Sequence, residues 1–280
     1  MPSSPTLAKS ADVLAPIRST LAAMTAVSSR RRAAGLDSAP ALSGLASPLV
    51  VTNATEWTQG TALVRGTALD DLLDTAKQRW RATPHAAAAL AFKCYSYWVA
   101  LPAVLGDATA RRVPLVRASH VVARWAPHAP FVTVGLLPNI GVAVLPNDPL
   151  ALLSVSARKR HRITIVPDET ALIGALRTSL LDQHLDGVVD QVRTRLHVGR
   201  RTLLGSLASG VAHGLSRAAD VVPGPIIETA RELLIGLGVD DLVELGERAD
   251  GRPGLTIQRN TCCLAFTLPE PRICSGCCIR

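Results

Sequence analysis

The fold is decided by the stretch VVARWAPHAPFVTVGLLPNIGVAVL at residues 121–145, where short runs of β-branched residues alternate with turn residues. Such runs have the length and composition of strands, and they are Val121–Trp125, Phe131–Leu136 and Gly141–Leu145. The dipeptide Pro138-Asn139 between the last two runs predicts a turn. We therefore expect a mostly antiparallel sheet with hairpins in the middle of the chain.

Similar runs flank this stretch at Val113–Val116 and Arg162–Val166, and helical patterns precede it. The upstream predictions are helices at Leu7–Met24, Leu69–Arg81 and Ala86–Leu101, and a loop from Arg30 to Pro48. Pro16 either kinks the first helix or marks its start. Pro84 separates the other two helices, because proline cannot continue a helix.

Apolar residues recur at helical spacing after residue 168. The clearest stripe comprises Leu181, Leu185, Val188, Val189, Val192 and Leu196. Further helices are predicted at Arg200–Leu215 and Ile226–Leu237, and Pro225 suits the first turn of the latter. Small residues around Gly205 should let another helix approach closely.

The chain is thus predicted to be an α+β protein. Its N-terminal helices and mostly antiparallel sheet occupy residues 1–168, a helical region follows at 169–250, and a cysteine-rich tail covers 251–280.

Composition limits the classes of function. Of the 280 residues, 48% are apolar and 19% are charged, which is typical of a globular protein and not of a disordered one. The formal net charge is +8, but the basic residues are dispersed and are not interleaved with aromatic ones. A nucleic acid is therefore not expected as a partner. An anionic small molecule or an acidic protein suits this charge better.

The N-terminal residues do not resemble a secretory signal, because Lys9, Asp12 and Arg18 interrupt them. We therefore expect a cytoplasmic protein. The most apolar window, His85–Leu105, contains Lys93 and two tyrosines, which favours a buried helix over a membrane span. Contact with a membrane surface stays open.

Cysteine is concentrated at the C-terminal end. Five of the six cysteines lie in the last 19 residues, at Cys262, Cys263, Cys274, Cys277 and Cys278. Cytoplasmic thiols are kept reduced, so this crowding indicates metal binding or redox chemistry rather than structural disulfides. Cys94 lies outside the tail and is expected to be a small buried apolar residue.

Two kinds of metal centre are candidates. Zinc sites commonly use cysteine pairs about two residues apart, and only Cys274 and Cys277 have that spacing. The adjacent pair Cys262-Cys263 suits a single small ion less well, because neighbouring side chains diverge. A [2Fe-2S] cluster is wider and takes two thiolates on each iron, so it is the favoured centre. A four-cysteine zinc module is the alternative.

The surroundings of the cysteines also favour a cluster. Gly276 removes bulk beside the sulfurs and lets backbone N–H groups turn toward them. Residues 251–280 contain four arginines and one glutamate, so their side-chain charge is four minus one, or +3. Such charge stabilises an anionic centre, and Arg259 and Arg272 are placed to tune its potential.

The tail resembles that of a known family. The pattern C-C-x10-C-x-x-C is similar to the cluster-binding tail of the FhuF-type ferric-siderophore reductases, and four cysteines form it here: Cys262, Cys263, Cys274 and Cys277. The flanking residues agree, with Arg259 before the first pair and Leu264 directly after it. The resemblance covers about twenty residues, and a weaker likeness extends to the helix around Gly205.

The resemblance implies that these four cysteines hold a [2Fe-2S] cluster. It further implies that the protein passes one electron to Fe(III) in a ferric siderophore, so that Fe(II) is released in the cytoplasm. Cys278 departs from the family pattern and is the alternative to Cys277 as the fourth ligand. A [2Fe-2S] electron carrier or sensor that does not act on siderophores is the alternative function.

Outside the tail, no residue is assigned a catalytic role. No Gly-rich dinucleotide fingerprint is present, so we expect an external electron donor such as a ferredoxin or a flavin reductase. Arg158, Lys159 and Arg160 could attract an anionic complex or an acidic ferredoxin, although such a run is more commonly a solvated turn between strands. The histidines are expected to be ordinary surface or core residues. The four tryptophans are expected in the core, and one of them could instead line a chelate pocket. They are Trp57, Trp80, Trp98 and Trp125.

Overall fold

A computed structural model describes residues 12–33, 42–274 and 276–279 of the chain. Its framework is the 27-residue helix α4 (Pro84–Ala110). The helix begins where the Thr83 hydroxyl accepts the N–H of Ala86 at 3.4 Å, and Pro84 occupies the first turn, where its missing N–H costs nothing. By length and composition α4 could also cross a membrane, but 78% of its most apolar window is buried inside the protein. The prediction of a buried helix is confirmed.

Helix α4 is preceded by α1 (Ala15–Ala33), α2 (Gly60–Val64) and α3 (Leu69–Trp80). Helix α3 confirms the prediction at Leu69–Arg81. Helix α1 begins beside Pro16, so this proline marks the start, and the part of the prediction before residue 12 lies outside the described residues. The helix continues to Ala33 because the basic residues of its last turn suit the negative end of a helix dipole. The loop predicted from Arg30 is therefore wrong at its start.

Within residues 42–274 the strands form a four-stranded sheet, a three-stranded sheet and a two-stranded hairpin. The first has the order β1 (Leu45–Val50), β5 (Val132–Leu136), β4 (Val121–Trp125), β2 (Thr58–Gln59). The second has the order β3 (Arg112–Pro114), β6 (Val142–Val144), β7 (Ile163–Ile165). The hairpin joins β8 (Val243–Glu247) to β9 (Leu255–Arg259).

The five predicted strands are present, and β4 pairs with β5 in an antiparallel hairpin that places Val121 opposite Leu136. Two features of the prediction are wrong. The turn at Pro138-Asn139 does not close a hairpin but carries the chain from β5 into the second sheet. The predicted loop also ends early, because β1 pairs in parallel with β5 and buries Leu45 and Leu49. A second parallel pair joins β6 to β7.

After β6 the described chain is mainly helical. The helices are α5 (Val155–Arg160), α6 (Glu169–Arg177), α7 (Asp186–Leu196), α8 (Arg200–Arg217) and α9 (Ile226–Leu237). A π-helical segment, Thr178–Leu185, joins α6 to α7, and the predicted apolar stripe along it is buried up to Val192. The hairpin β8–β9 was not predicted. The basic run from Arg158 ends helix α5, which the Ser154 hydroxyl caps, and is not a plain turn.

The α+β class is confirmed. Buried residues from Leu14 to Ile257 belong to a continuous core that includes both predicted helical regions. Helix α8 packs closely against α4 because its glycines leave room. A Cβ on Gly214 would lie 2.8 Å from Leu101, and one on Gly210 would lie 3.4 Å from Tyr97. The division at residues 168 and 250 stays a prediction, although the core crosses both boundaries.

Candidate metal centre

Strand β9 delivers the first cysteine pair. The strand ends at Arg259, and the N–H of Asn260 donates to the carbonyl of Leu242 at 3.0 Å, which ties the strand end to the hairpin. Thr261 then packs directly on Gly205 of α8, where any Cβ would overlap the threonine hydroxyl. Cys262 and Cys263 follow at once. Gly205 was predicted to let another helix approach closely. In the structure it instead makes room for Thr261, the residue before the first cysteine pair.

The second pair returns to the same strand. The chain turns at Leu264, whose φ of 62° is left-handed, and forms a single helical turn over Ala265–Thr267. The N–H of Arg272 donates to the carbonyl of Ala265 at 3.1 Å and closes the loop. The N–H of Cys277 donates to the carbonyl of Cys274 at 3.0 Å, so the C-x-x-C segment is a tight turn.

Two hydrogen bonds hold this turn against β9. The N–H of Arg259 donates to the carbonyl of Gly276 at 2.9 Å, and the side-chain amide of Gln258 donates to the carbonyl of Cys277 at 2.9 Å. Gly276 lies so near the strand that a Cβ would overlap the carbonyl oxygen of Ile257. The fold therefore brings the second cysteine pair beside the strand that leads to the first.

The thiols themselves differ in exposure. Cys263 is 4% exposed and lies in an apolar patch with Leu90, Ala265 and Leu268, against which Trp80 packs. Cys277 is also buried, Cys262 is half-buried, and Cys274 and Cys278 are exposed. The Leu264 N–H lies 3.2 Å from the Cys262 sulfur and donates to it.

Cys278 has a closer relation to the tail than its sequence position suggests. Partial burial raises the pKa of its thiol, as do the neighbouring thiols of Cys262 and Cys277 and a hydrogen bond with Cys262. Among the described residues, no three His, Cys, Asp or Glu side chains are arranged as a metal site. The fold thus gathers the cysteine segments through their backbone, while the four predicted sulfurs do not converge on one point.

Arg259 provides the test of whether an anionic centre fits here. Its side chain is 4% exposed, although a charged group is costly to bury without a partner of opposite charge. Nε donates to the carbonyl of Thr261 at 3.2 Å and Nη2 to the hydroxyl of Ser206 at 3.1 Å. Nη1 has no hydrogen-bond partner in the part of the chain that the structure describes. A cluster with thiolate ligands would supply the missing negative charge, so the donor set and the buried cation both fit it.

The surroundings add further positive charge. His213 on α8 has a pKa well below its usual range, because surrounding protein disfavours its charged form and Lys93, Arg259 and Arg217 repel it. The ring is therefore neutral at pH 7. It lines a cavity of about 560 Å³ together with Gln258 and Gly276, so this cavity borders the tail.

Cys94 behaves as a packing residue. It is partly buried against the main core, and burial raises the pKa of its thiol to about 11, which keeps the thiol protonated. Sequence reasoning missed the surroundings of His184, which is fully buried and bonded to Tyr95. It also missed the proximity of His213 to the tail, because neither histidine has a partner at helical spacing in the sequence. Both contacts join distant parts of the chain.

Compared with protein-family models and with curated proteins, the chain shows no significant match to either.

Proposed function

We propose that the C-terminal tail binds a [2Fe-2S] cluster and that the protein reduces Fe(III) held by a siderophore. The proposed ligands are Cys262, Cys263, Cys274 and Cys277. One observation carries the proposal most strongly. The guanidinium of Arg259 is buried with one nitrogen unpartnered, at the end of the strand that leads to the first cysteine pair and holds the backbone of the second. This site calls for an anion, and thiolates are the donors at hand.

The thiols must move to bind metal. Cys263 is buried, its neighbour Cys262 is half-buried, and Cys274 is exposed. Binding therefore requires the thiols to lose their protons and turn toward one centre, which couples metal binding to the ordering of the tail. The backbone hydrogen bonds from Arg259 and Gln258 keep the second pair near the first during that change.

The chemistry of release supports a one-electron role. When bound, the cluster supplies single electrons, which match the reduction of Fe(III) to Fe(II). Siderophores bind Fe(III) through hard oxygen donors, and Fe(II) has less preference for them. Each turnover consumes one electron, which we assign to an external reductant such as a reduced ferredoxin or a flavin reductase. We place this reaction in the cytoplasm. The proposed reaction does not involve a nucleic acid.

Metal analysis tests the centre. Protein purified without oxygen should contain two irons and two acid-labile sulfides per chain and should be coloured. Serine at Cys262, Cys263, Cys274 or Cys277 should abolish this content, whereas Cys94→Ser should preserve it. Cys278→Ser decides between the two candidates for the fourth ligand, since it should be silent if Cys277 binds. A colourless protein with one zinc and no sulfide would establish the zinc module instead.

A trapping experiment tests the activity. Chemically reduced protein is mixed with ferric siderophores of several classes, and Fe(II) is captured by a ferrous chelator. We expect reoxidation of the protein and one captured Fe(II) per electron. Reduced protein that stays reduced with every chelate would support the carrier or sensor instead.

A further inference from the structure

We propose that the ferric chelate binds in a cavity lined by Trp57 and Arg124, and that this chelate is an anionic catecholate complex. The site rests on the proposed function but can be tested without it. The cavity has a volume of about 1240 Å³ and lies between α1 and the sheet β1-β5-β4. Ligand pockets commonly measure roughly 300–1,000 Å³, so this one suits a bulky hexadentate complex.

The cavity wall combines indole rings with positive charge. Trp57 and Trp125 line it, and the guanidinium of Arg124 lies 4.8 Å from the centroid of the Trp57 ring. Flat aromatic rings of a ligand can stack on indoles and guanidinium groups. Catecholate complexes of Fe(III) are built from such rings and carry a net negative charge.

The charges of the wall favour an anion. Among the described lining residues there is no Asp or Glu, and the cations are Arg18 and Arg124. Arg18 forms an ion pair with Asp12, which offsets its charge. Arg124 forms no ion pair in the described chain and is exposed, so it is the cation that an anionic chelate would meet.

An aromatic pair lies between the cysteine patch and a residue of the cavity wall's segment. Trp80 packs against the apolar patch that contains Cys263, and its ring centroid lies 4.6 Å from that of Phe131. The preceding residue, Pro130, lines the cavity. The cysteine patch is therefore joined, through Trp80 and Phe131, to the residue that follows Pro130 of the cavity wall.

The smaller cavity is the competing site. It borders Gly276 directly, but Glu244 lines it, and its Arg248 is paired with Asp250. No aromatic ring other than that of His213 lines it among the described residues. Its volume of about 560 Å³ is also less than half as large. An anionic complex of aromatic rings is thus better matched to the larger cavity.

Equilibrium dialysis of the full chain with the gallium(III) complex of 2,3-dihydroxybenzoate tests the site. Gallium(III) has the charge of Fe(III) but is not reduced under these conditions, so binding is measured apart from electron transfer. We expect Arg124→Gln to weaken binding about tenfold, and Trp57→Leu to weaken it several-fold. Arg248→Gln removes the same charge from the smaller cavity and should have no effect.

Two results would overturn the proposal. One is unchanged gallium binding in both Arg124→Gln and Trp57→Leu, and the other is a loss confined to Arg248→Gln. Preferential binding of an uncharged gallium hydroxamate complex would reject the assigned chelate class. If the dialysis shows the expected losses but reduced protein does not reduce the iron complex, the site stands and the proposed function fails. If reduction occurs and both Arg124→Gln and Trp57→Leu bind the gallium complex normally, the function stands and the site fails.

Discussion

The backbone N–H of Arg259 donates a 2.9 Å hydrogen bond to the carbonyl oxygen of Gly276, which fastens the C-x-x-C turn to the last residue of β9. The guanidinium of the same arginine is buried and donates to the Ser206 hydroxyl on α8. One residue thus contacts the second cysteine pair through its backbone and, through its side chain, Thr261, which directly precedes the first pair. A substitution of the Arg259 side chain therefore removes the charge but keeps the backbone hydrogen bond to Gly276.

Gly276→Ala should displace the second cysteine pair. A Cβ at this position would overlap the carbonyl oxygen of Ile257, and neither the strand nor the turn has a flexible side chain there that could yield. The hydrogen bond from Arg259 should be lost with the contact. We expect iron and sulfide content to fall several-fold while the rest of the fold stays intact, because the tail lies at the edge of the core.

Gly174→Ala is the matched control for this substitution. It lies in helix α6 with no atom within 4 Å of the added Cβ, so it should leave the iron content unchanged and stabilise the helix slightly. Metal analysis and thermal unfolding of both variants check the prediction. Full iron content in Gly276→Ala would show that the packing against Ile257 does not position the cysteines.

The elements that the sequence predicts well are those with local signals. The stripe from Leu181 to Val192 is buried as its helical spacing requires, and α9 begins immediately after Pro225. Sheet assignment failed where pairing is distant in sequence. Leu45 is paired with Val134, and no pattern within β1 indicates that partner. The turn at Pro138-Asn139 is local and was predicted, but its destination depends on β3.

In the candidate site, too, features with a local sequence signal were predicted and features that depend on distant residues were not. The cysteine spacing predicts which residues act together, because it is a property of a short segment. The burial of Arg259 depends on Ser206, 53 residues earlier, and therefore has no local signal. The close contact between Gly276 and Ile257 also has no local signal, because it forms only when the tail folds back on β9. The sequence indicates an arginine near the cysteines, and the three-dimensional structure shows that Arg259 is buried.

Arg259→Met should lower the reduction potential of the centre. Removing a buried positive charge makes the addition of an electron less favourable, by an amount on the order of tens of millivolts. Arg272→Met removes the same charge from an exposed position, where water screens it, and should shift the potential much less. Spectroscopic redox titration of the two variants measures the difference. Equal shifts, or none, would show that Arg259 does not face the centre.

His184 should make folding stability depend on pH. Its Nδ1–H donates to the carbonyl of Val116 at 2.7 Å, since that oxygen can only accept, and Nε2 accepts the Tyr95 hydroxyl at 2.7 Å. Burial lowers the pKa of His184 to about 4, below the 6.5 of an exposed imidazole. The folded state favours the neutral ring, so its contribution is fully present above pH 6.5 and is lost as the pH falls through 4. The loss amounts to about 3 kcal/mol.

Replacing His184 with glutamine should remove most of this dependence. Glutamine keeps a donor and an acceptor but does not titrate, so urea unfolding at pH 7.5 and at pH 4.5 should give more similar stabilities than in the unmodified protein. A smaller slope should remain, because the pKa of His213 is lowered as well. His128→Gln, at an exposed position, is the control. An unchanged pH profile in the glutamine variant would show that His184 is not the source of the pH dependence.

Arg160→Glu tests whether helix α5 attracts an acidic electron donor. Arg158 is unsuitable for this test, because its guanidinium donates to the carbonyl of Ala151 at 2.7 Å and supports the local fold. Arg160 is exposed at the end of the helix, so its reversal should reduce long-range attraction without removing a structural contact. We expect the rate of reduction by an acidic ferredoxin to fall several-fold at low salt and to recover at high salt, because ions screen the long-range attraction.

Arg231→Glu makes the same charge change at an exposed position of α9 and should have a smaller effect. Equal rates for Arg160→Glu and the unmodified protein at low ionic strength would mean that this run is only a solvated helix end and that the donor docks elsewhere.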